Sequence, residues 1–215
     1  DAARYFGRVL VMPNLVPPVT NVALATAYRD RILKHAPPGF APMMALYLTD
    51  ETNKATVAAA AETPFTPAFK LYPAGATTNS AFGISAIEEM FPVFEAMQEQ
   101  DVILSIHGEV TDQDVDIFDR EAVFIDRILS RIAATFPSLR IILEHITTRE
   151  AVEFVQDANT KVAATITAHH LLYNRNDMLA GGMKPTHYCL PVLKRNVHQA
   201  ALISAATSGD SSFFI

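Results

Sequence analysis

Three apolar stretches of the chain, each typical of a buried strand, carry a side chain that can bind or activate a ligand. They are Lys70 in AFKLYPA, His107 in DVILSIHGEV and His145 in LRIILEHIT. Neutral imidazole is a common ligand of Zn2+. A free ammonium would repel a cation, but CO2 can convert a lysine into an anionic carbamate that bridges two metal ions, which then activate a shared water. The order Lys, His, His therefore predicts a two-metal hydrolytic site.

Each of these three residues alone also has a purely structural interpretation. A single histidine at a strand end is more often a hydrogen-bonded structural residue than a ligand. Lys70 can extend its amine to a rim while its aliphatic stem stays buried. The combination favours the site, because the three side chains end successive predicted strands and small or polar residues follow each of them.

Other predicted strand ends add polar side chains. Asn14 can serve a ligand or a turn, whereas Asp50 is typical of a helix cap. His169 and His170 are consecutive in one predicted strand, so their side chains point to opposite faces and at most one of them faces the interior. The remaining polar residues at these ends are Glu109, Thr147 and Thr148.

Apolar runs alternate with helix-spaced segments along the whole chain. Strands are predicted at 8–14, 43–50, 68–74, 101–110, 139–147 and 161–171, and residues 211–215 begin one more. Helices are predicted at 21–35 after an N-cap at Thr20, 51–61, 84–100 with a kink at Pro92, 113–134, 149–158 and 192–207.

This alternation predicts an α/β protein with a parallel sheet, and the near-continuous apolar strands indicate that both faces of the sheet are covered. The glycine-rich nucleotide-binding patterns G-x-G-x-x-G and G-x-x-x-x-G-K-[ST] are missing from the sequence. We therefore predict a (β/α)8 barrel with residues 1–215 as a single partial domain. A full barrel takes about 250 residues, so the observed 215 fit one that lacks a unit.

Composition limits the partners. The net charge is −6 without a basic run, which argues against nucleic acid. The sequence has one cysteine, Cys189, which fits a reducing compartment. No apolar run reaches about 18 residues, so no membrane segment is predicted. We expect a soluble cytoplasmic protein that acts on a small molecule.

Several longer stretches carry a family resemblance. The segments VMPNLVPPVT, KLYPAGATTNS, HGEVTDQDVDIFDRE, EHITT, AATITAHHLLYNRNDML and YCLPVLKRN resemble, in order and spacing, the dihydroorotases of the bacterial homodimeric type within the amidohydrolase superfamily. The resemblance implies a zinc hydrolase with a barrel of the metal-dependent hydrolase type. It also implies reversible cyclisation of N-carbamoyl-L-aspartate to L-dihydroorotate in pyrimidine biosynthesis, and a homo-oligomer.

The resemblance also implies roles for individual residues. Lys70 matches the carbamylated lysine, formed with CO2, that bridges two zinc ions, and His107 and His145 match the histidines of the second zinc. Asn14 matches a residue that holds the substrate carboxylate. The remaining substrate-binding matches are Thr77 and Thr78 at the tip of a mobile loop, and Leu190, whose backbone contacts the pyrimidine ring.

Two family motifs are not found in these 215 residues. An H-x-H-x-R pattern does not precede Arg8, and the family's G-T-D-S-A-P-H-like segment, which supplies the catalytic aspartate, does not occur before Ile215. From this pattern we expect a chain truncated at both ends, with the first barrel strand missing and the eighth cut short. No catalytic residue is then retained, little activity is expected of these residues alone, and the unpaired strand edges favour pairing with another chain.

Three alternatives stay open. One is a related cyclic amidase of the hydantoinase or allantoinase kind. Another is a non-catalytic dihydroorotase-like scaffold, which metal content would separate from the enzymes. The last is an aldolase that forms a Schiff base at Lys70, which borohydride trapping would reveal.

Overall fold

Short strands alternate with helices along the chain, as the sequence predicts. The computed structural model describes residues 2–158 and 161–215. The chain divides into two compact units, residues 1–105 and 106–215. A single domain over the whole chain stays a prediction. In the part of the chain that is described, no helix is both long and apolar enough to cross a membrane.

The first unit is built on parallel strands. They are β1 (Arg8–Val11), β2 (Ala41–Tyr47) and β3 (Ala68–Leu71), and β4 (Ile103–Ile106) begins at its end. β1 pairs with β2, and β2 pairs with β3 so that Tyr47 lies beside Lys70. Every residue of β3 is buried, as expected for a parallel strand that is covered on both faces.

The helices of the first unit are α1 (Val22–Leu33), α2 (Lys54–Ala61) and α3 (Phe91–Glu99). Asn21, rather than the predicted Thr20, caps α1 by accepting a hydrogen bond from the Leu24 amide at 3.0 Å. The predicted kinked helix 84–100 is wrong. A 3-10 turn precedes α3, and Pro92 lies in the first turn of α3, where proline costs no backbone hydrogen bond.

The second unit has the parallel strands β5 (Ile141–Leu143), β6 (Val162–Thr165) and β7 (Phe213–Phe214), paired in that order. Its helices are α4 (Arg120–Phe124), α5 (Ser130–Thr135), α6 (Arg149–Asp157), α7 (Ala168–Leu172), α8 (Arg175–Leu179) and α9 (Asn196–Thr207). The segment between α4 and α5 widens into a π-helical turn, in which the Ser130 hydroxyl donates to the Ile125 carbonyl at 2.8 Å.

Two predicted boundaries in this unit are wrong. The helix predicted over 113–134 begins only at Arg120, because the preceding residues form turns in which Asp116 accepts from the Phe118 amide. The strand predicted over 161–171 ends at Thr165, and α7 follows it. His169 and His170 therefore lie on a helix, with ring centroids 4.2 Å apart, and not on opposite faces of a strand.

Candidate active site

Lys70 lies in β3 of the first unit and is 1% exposed. Its Nζ is 5.4 Å from the centroid of the Tyr72 ring, within cation–π range. An amine buried in this way does not reach solvent, so the snorkelling interpretation of Lys70 does not hold. Burial of a lysine inside a parallel strand is costly unless it has a specific role or partner.

The loop after β3 folds against Asn14 within the same unit. The Asn14 side chain donates to the Thr78 carbonyl at 3.2 Å, and the Asn79 side chain donates back to the Asn14 carbonyl at 3.0 Å. Thr77 is half-buried and Thr78 exposed. The structure thus brings together the residues predicted to bind substrate in this unit, Asn14 and the loop tip.

The base of this loop is closed tightly. The Ile84 amide donates to the Tyr72 carbonyl at 2.8 Å, and the Ala74 amide donates to the Ile84 carbonyl at 3.1 Å. A Cβ added at Gly83 would lie 2.2 Å from the Tyr72 carbonyl oxygen, so only glycine fits there. The loop therefore has a fixed base and a tip held by exposed polar contacts.

In the second unit, His107 follows β4 and is buried. Its Nε2 lies 3.0 Å from Oε2 of Glu109, and the two residues flank Gly108. A Cβ at Gly108 would lie 2.6 Å from Cδ1 of Leu143, so a larger residue there would require the Leu143 side chain to shift. Lys194 completes the group, with its Nζ 3.6 Å from Oε1 of Glu109.

His145 lies next to His107. The two ring centroids are 4.9 Å apart and the rings meet edge to face. His145 has a φ of +44°, in the left-handed region that side-chain-bearing residues seldom adopt. Its amide donates to Thr165 Oγ1 at 2.7 Å, which helps hold that backbone in place. Backbone strain of this kind is concentrated at functional sites.

The residues just after His145 are anchored by a buried carboxylate, Glu121 of α4. The Thr147 amide donates to its oxygens at 2.9 and 3.0 Å, the Thr147 hydroxyl donates at 2.9 Å, and the Thr148 hydroxyl donates as well. Thr148 also caps α6 through the Ala151 amide. Burial raises the pKa of Glu121, and the nearby Lys194 and these hydrogen bonds oppose that rise.

His170 fastens the segment that carries Leu190. Its Nε2 is 3.1 Å from the Pro191 carbonyl, and Thr167 Oγ1 contacts its Nδ1. A carbonyl only accepts, so Nε2 carries the proton and Nδ1 accepts from the threonine. Desolvation, followed by the charge of His169, lowers the pKa of His170 to about 4, so the ring is neutral at pH 7.

The donor set fits a divalent cation in part. His107, which is buried, and His145, which is half-buried, are adjacent imidazoles in one unit, the ligand type that Zn2+ prefers. Among the described residues, no group of three or more His, Cys, Asp or Glu is arranged to hold a metal. Lys70 of the first unit could ligate a metal only as a carbamate, because a free ammonium repels a cation.

Sequence reasoning missed two of the supporting residues, Glu121 and Lys194, and placed a third, His170, on a strand instead of a helix. All three are buried and hold the predicted site residues or their neighbours. Their sequence surroundings, DREAVF and VLKRN among them, are typical of exposed helix ends. The sequence did contain one signal of a supporting residue. Glu109 lies two residues after His107, and this spacing places both side chains on the same side of an extended segment.

Comparison with solved structures defines the class of fold. A dihydroorotase from Campylobacter jejuni matches 99% of the chain with a TM-score of 0.91 at 37% identity. An L-hydantoinase from Arthrobacter aurescens matches 97% of it with a TM-score of 0.73 at 16% identity, which speaks for the fold alone. The predicted fold, a (β/α)8 barrel of the metal-dependent hydrolase type present in part, is confirmed.

Curated sequences narrow the class. A dihydroorotase from Ectopseudomonas mendocina is 59% identical over the whole chain, and one from Shewanella amazonensis is 58% identical. The chain is homologous to dihydroorotases, which are cyclic amide hydrolases, along its full length, and the predicted resemblance is confirmed. No family model matches the chain. The chain spans 62% of the length of the first of these relatives and 63% of the second.

Proposed function

We propose that this chain is part of a dihydroorotase, which interconverts N-carbamoyl-L-aspartate and L-dihydroorotate in pyrimidine biosynthesis. The observation that carries the proposal is the 59% identity to a dihydroorotase over every part of the chain. A similar structure, from Saccharomyces cerevisiae, is a dihydroorotase in complex with 5-fluoroorotic acid, with a TM-score of 0.87 at 35% identity. That ligand supports a pyrimidine carboxylate as the kind of small molecule bound.

Within this proposal, His107, His145 and a carbamylated Lys70 hold zinc. The burial of Lys70 and His107 supports the assignment, because a buried lysine and a buried histidine both need a specific purpose. Bound zinc would supply Lewis acidity toward the ring carbonyl of the substrate and a water of lowered pKa. Two ions per site remain part of the proposal.

The substrate is bound by Asn14, the loop tip at Thr77 and Thr78, and the backbone at Leu190. The Asn14 amide is suited to a carboxylate because it donates two hydrogen bonds. The exposed contacts between Asn14 and the loop let the tip exchange protein partners for substrate while its base stays closed. The segment at Leu190 is held by His170, which limits its freedom when a ring packs on it.

We also propose a cytoplasmic homo-oligomer. The single cysteine, Cys189, is exposed and free, as is common in a reducing compartment. Large apolar side chains exposed in the second unit, among them Leu172 and Met183, support contact with another subunit.

The test is turnover of L-dihydroorotate by the full gene product with Zn2+, with hydantoin and allantoin as alternative substrates. We expect dihydroorotate to be preferred and His107→Asn to abolish turnover. Preference for hydantoin or allantoin would favour the related amidases. Absence of both turnover and bound metal would favour the scaffold. The 215 residues alone are expected to show little activity, since they contain no H-x-H-x-R.

A further inference from the structure

A buried ion pair, between Lys194 and Glu109, lies next to His107. Lys194 Nζ lies 3.6 Å from one carboxylate oxygen of Glu109, and the other oxygen lies 3.0 Å from His107 Nε2. The three side chains are between 1% and 3% exposed. The three side chains therefore form a chain of contacts. The Lys194 ammonium holds the Glu109 carboxylate, and this carboxylate holds Nε2 of His107.

The chemistry of this contact selects one form of the ring. An ionised carboxylate can only accept hydrogen bonds, so Nε2 of His107 must carry a proton. In the neutral imidazole the lone pair then lies on Nδ1. The nitrogen that can bind a cation is thus decided by Glu109 and not by the metal.

Lys194 pairs with Glu109 and holds its carboxylate in place. A lone carboxylate buried this deeply would be costly, and a paired one much less so. Lys194 is itself held, because its Nζ donates to the Val192 carbonyl at 3.1 Å.

We propose that Glu109, held by Lys194, is a positioning residue that fixes His107 in the Nε2–H tautomer and directs Nδ1 toward a divalent cation. The part concerning the cation rests on the proposed function, whereas the tautomer does not. Carboxylates that orient a ligating histidine typically change metal affinity by about 10-fold to 100-fold. Replacing Glu109 should therefore weaken Zn2+ binding by a factor of this size.

The experiment measures the tautomer and the affinity separately. Solid-state NMR of the metal-free gene product, labelled with 15N-histidine, reports which nitrogen of His107 is protonated, and His107→Asn identifies the signal. Zn2+ affinity is measured by competition with a chelator for wild type, Glu109→Gln and Lys194→Met. Glu153→Gln, an exposed carboxylate on α6, is the matched control.

We expect the Nε2–H tautomer in wild type and in the control. Glu109→Gln should reduce the population of this tautomer and lower Zn2+ affinity about 10-fold to 100-fold, with a smaller effect for Lys194→Met. A wild-type Nδ1–H ring, or an unchanged affinity in folded Glu109→Gln, would overturn the proposal. If Glu109→Gln does not fold, the tautomer of His107 in wild type and the Zn2+ affinity of Lys194→Met still test the proposal. A correct tautomer without turnover would count against the proposed function alone.

Discussion

The two units hold their candidate site residues in different ways. In the first unit, Asn14 and the loop tip are joined by hydrogen bonds that lie at the surface. In the second, His107 is buried and His145 is half-buried, and buried carboxylates fix the ring of His107 and the backbone after His145. Asn14 and the loop tip can therefore exchange their hydrogen-bond partners for a ligand, whereas His107 and His145 are held in place before any ligand binds.

The physical basis of this difference is the local environment. A hydrogen bond between exposed groups competes with water and contributes about 1 kcal/mol, so breaking it costs little. A buried carboxylate that loses its donors, or buried donors that lose their carboxylate, cost several kcal/mol. Substitutions of the buried carboxylates in the second unit should therefore have large effects on stability, and substitutions at Asn14 and the loop tip in the first unit small ones.

The largest effect is expected for Glu121→Ala, which removes the acceptor for one amide and two hydroxyls. Leaving these buried donors unsatisfied should lower the free energy of unfolding by about 3 kcal/mol. Urea denaturation measures the change, with the exposed Glu153→Ala as a control expected to stay within about 0.5 kcal/mol of wild type. Equal, small effects for both variants would contradict the picture of a rigid second unit.

The next effect concerns pH and His170. Its pKa is about 4 in the folded chain and 6.5 ordinarily, so between these values the unfolded chain binds a proton that the folded chain does not. Stability should be full above pH 6.5 and fall as the pH drops toward 4, by up to about 3 kcal/mol. The charges of His169 and Lys194 also lower the pKa of His170, whereas the charge of Glu109 raises it.

Denaturation of wild type and of His170→Gln across this pH range checks the prediction. Glutamine can still donate to the Pro191 carbonyl but does not titrate. The stability of His170→Gln should therefore fall less than that of wild type between pH 6.5 and 4, and the difference should be about the loss predicted for His170. Parallel profiles would show that His170 does not titrate as described.

A smaller effect is expected at Asn79 in the loop of the first unit. Its φ is +55°, and its side chain donates to the Asn14 carbonyl. Asn79→Ala loses the hydrogen bond and strains the backbone, for a cost of about 1 to 2 kcal/mol, whereas Asn79→Gly loses only the bond. Thermal unfolding should rank alanine below glycine. The reverse order would mean that the loop tip does not need this conformation.

The sequence predicted the alternation of strands and helices and the position of Lys70 in a strand, because both follow from apolar runs, whereas the ligand roles of Lys70, His107 and His145 stay a prediction. It did not predict the helix at 168–172, since TITAHHL has the apolar content of a strand, although the strand ends at Thr165 and the helix begins at Ala168. Nor did it predict the burial of Glu121 or Lys194. A charged residue in a polar segment is read as exposed, and its burial depends on partners far away in sequence.

Zinc binding tests the central claim most directly. Equilibrium dialysis of the gene product should find about one Zn2+ or more per chain, bound through His107, His145 and Lys70. His107→Asn and Lys70→Met should each weaken that binding at least about 10-fold, while Asn14→Ala leaves it unchanged. A chain without stoichiometric zinc, or one whose binding is unaffected by His107→Asn and Lys70→Met, would contradict the account.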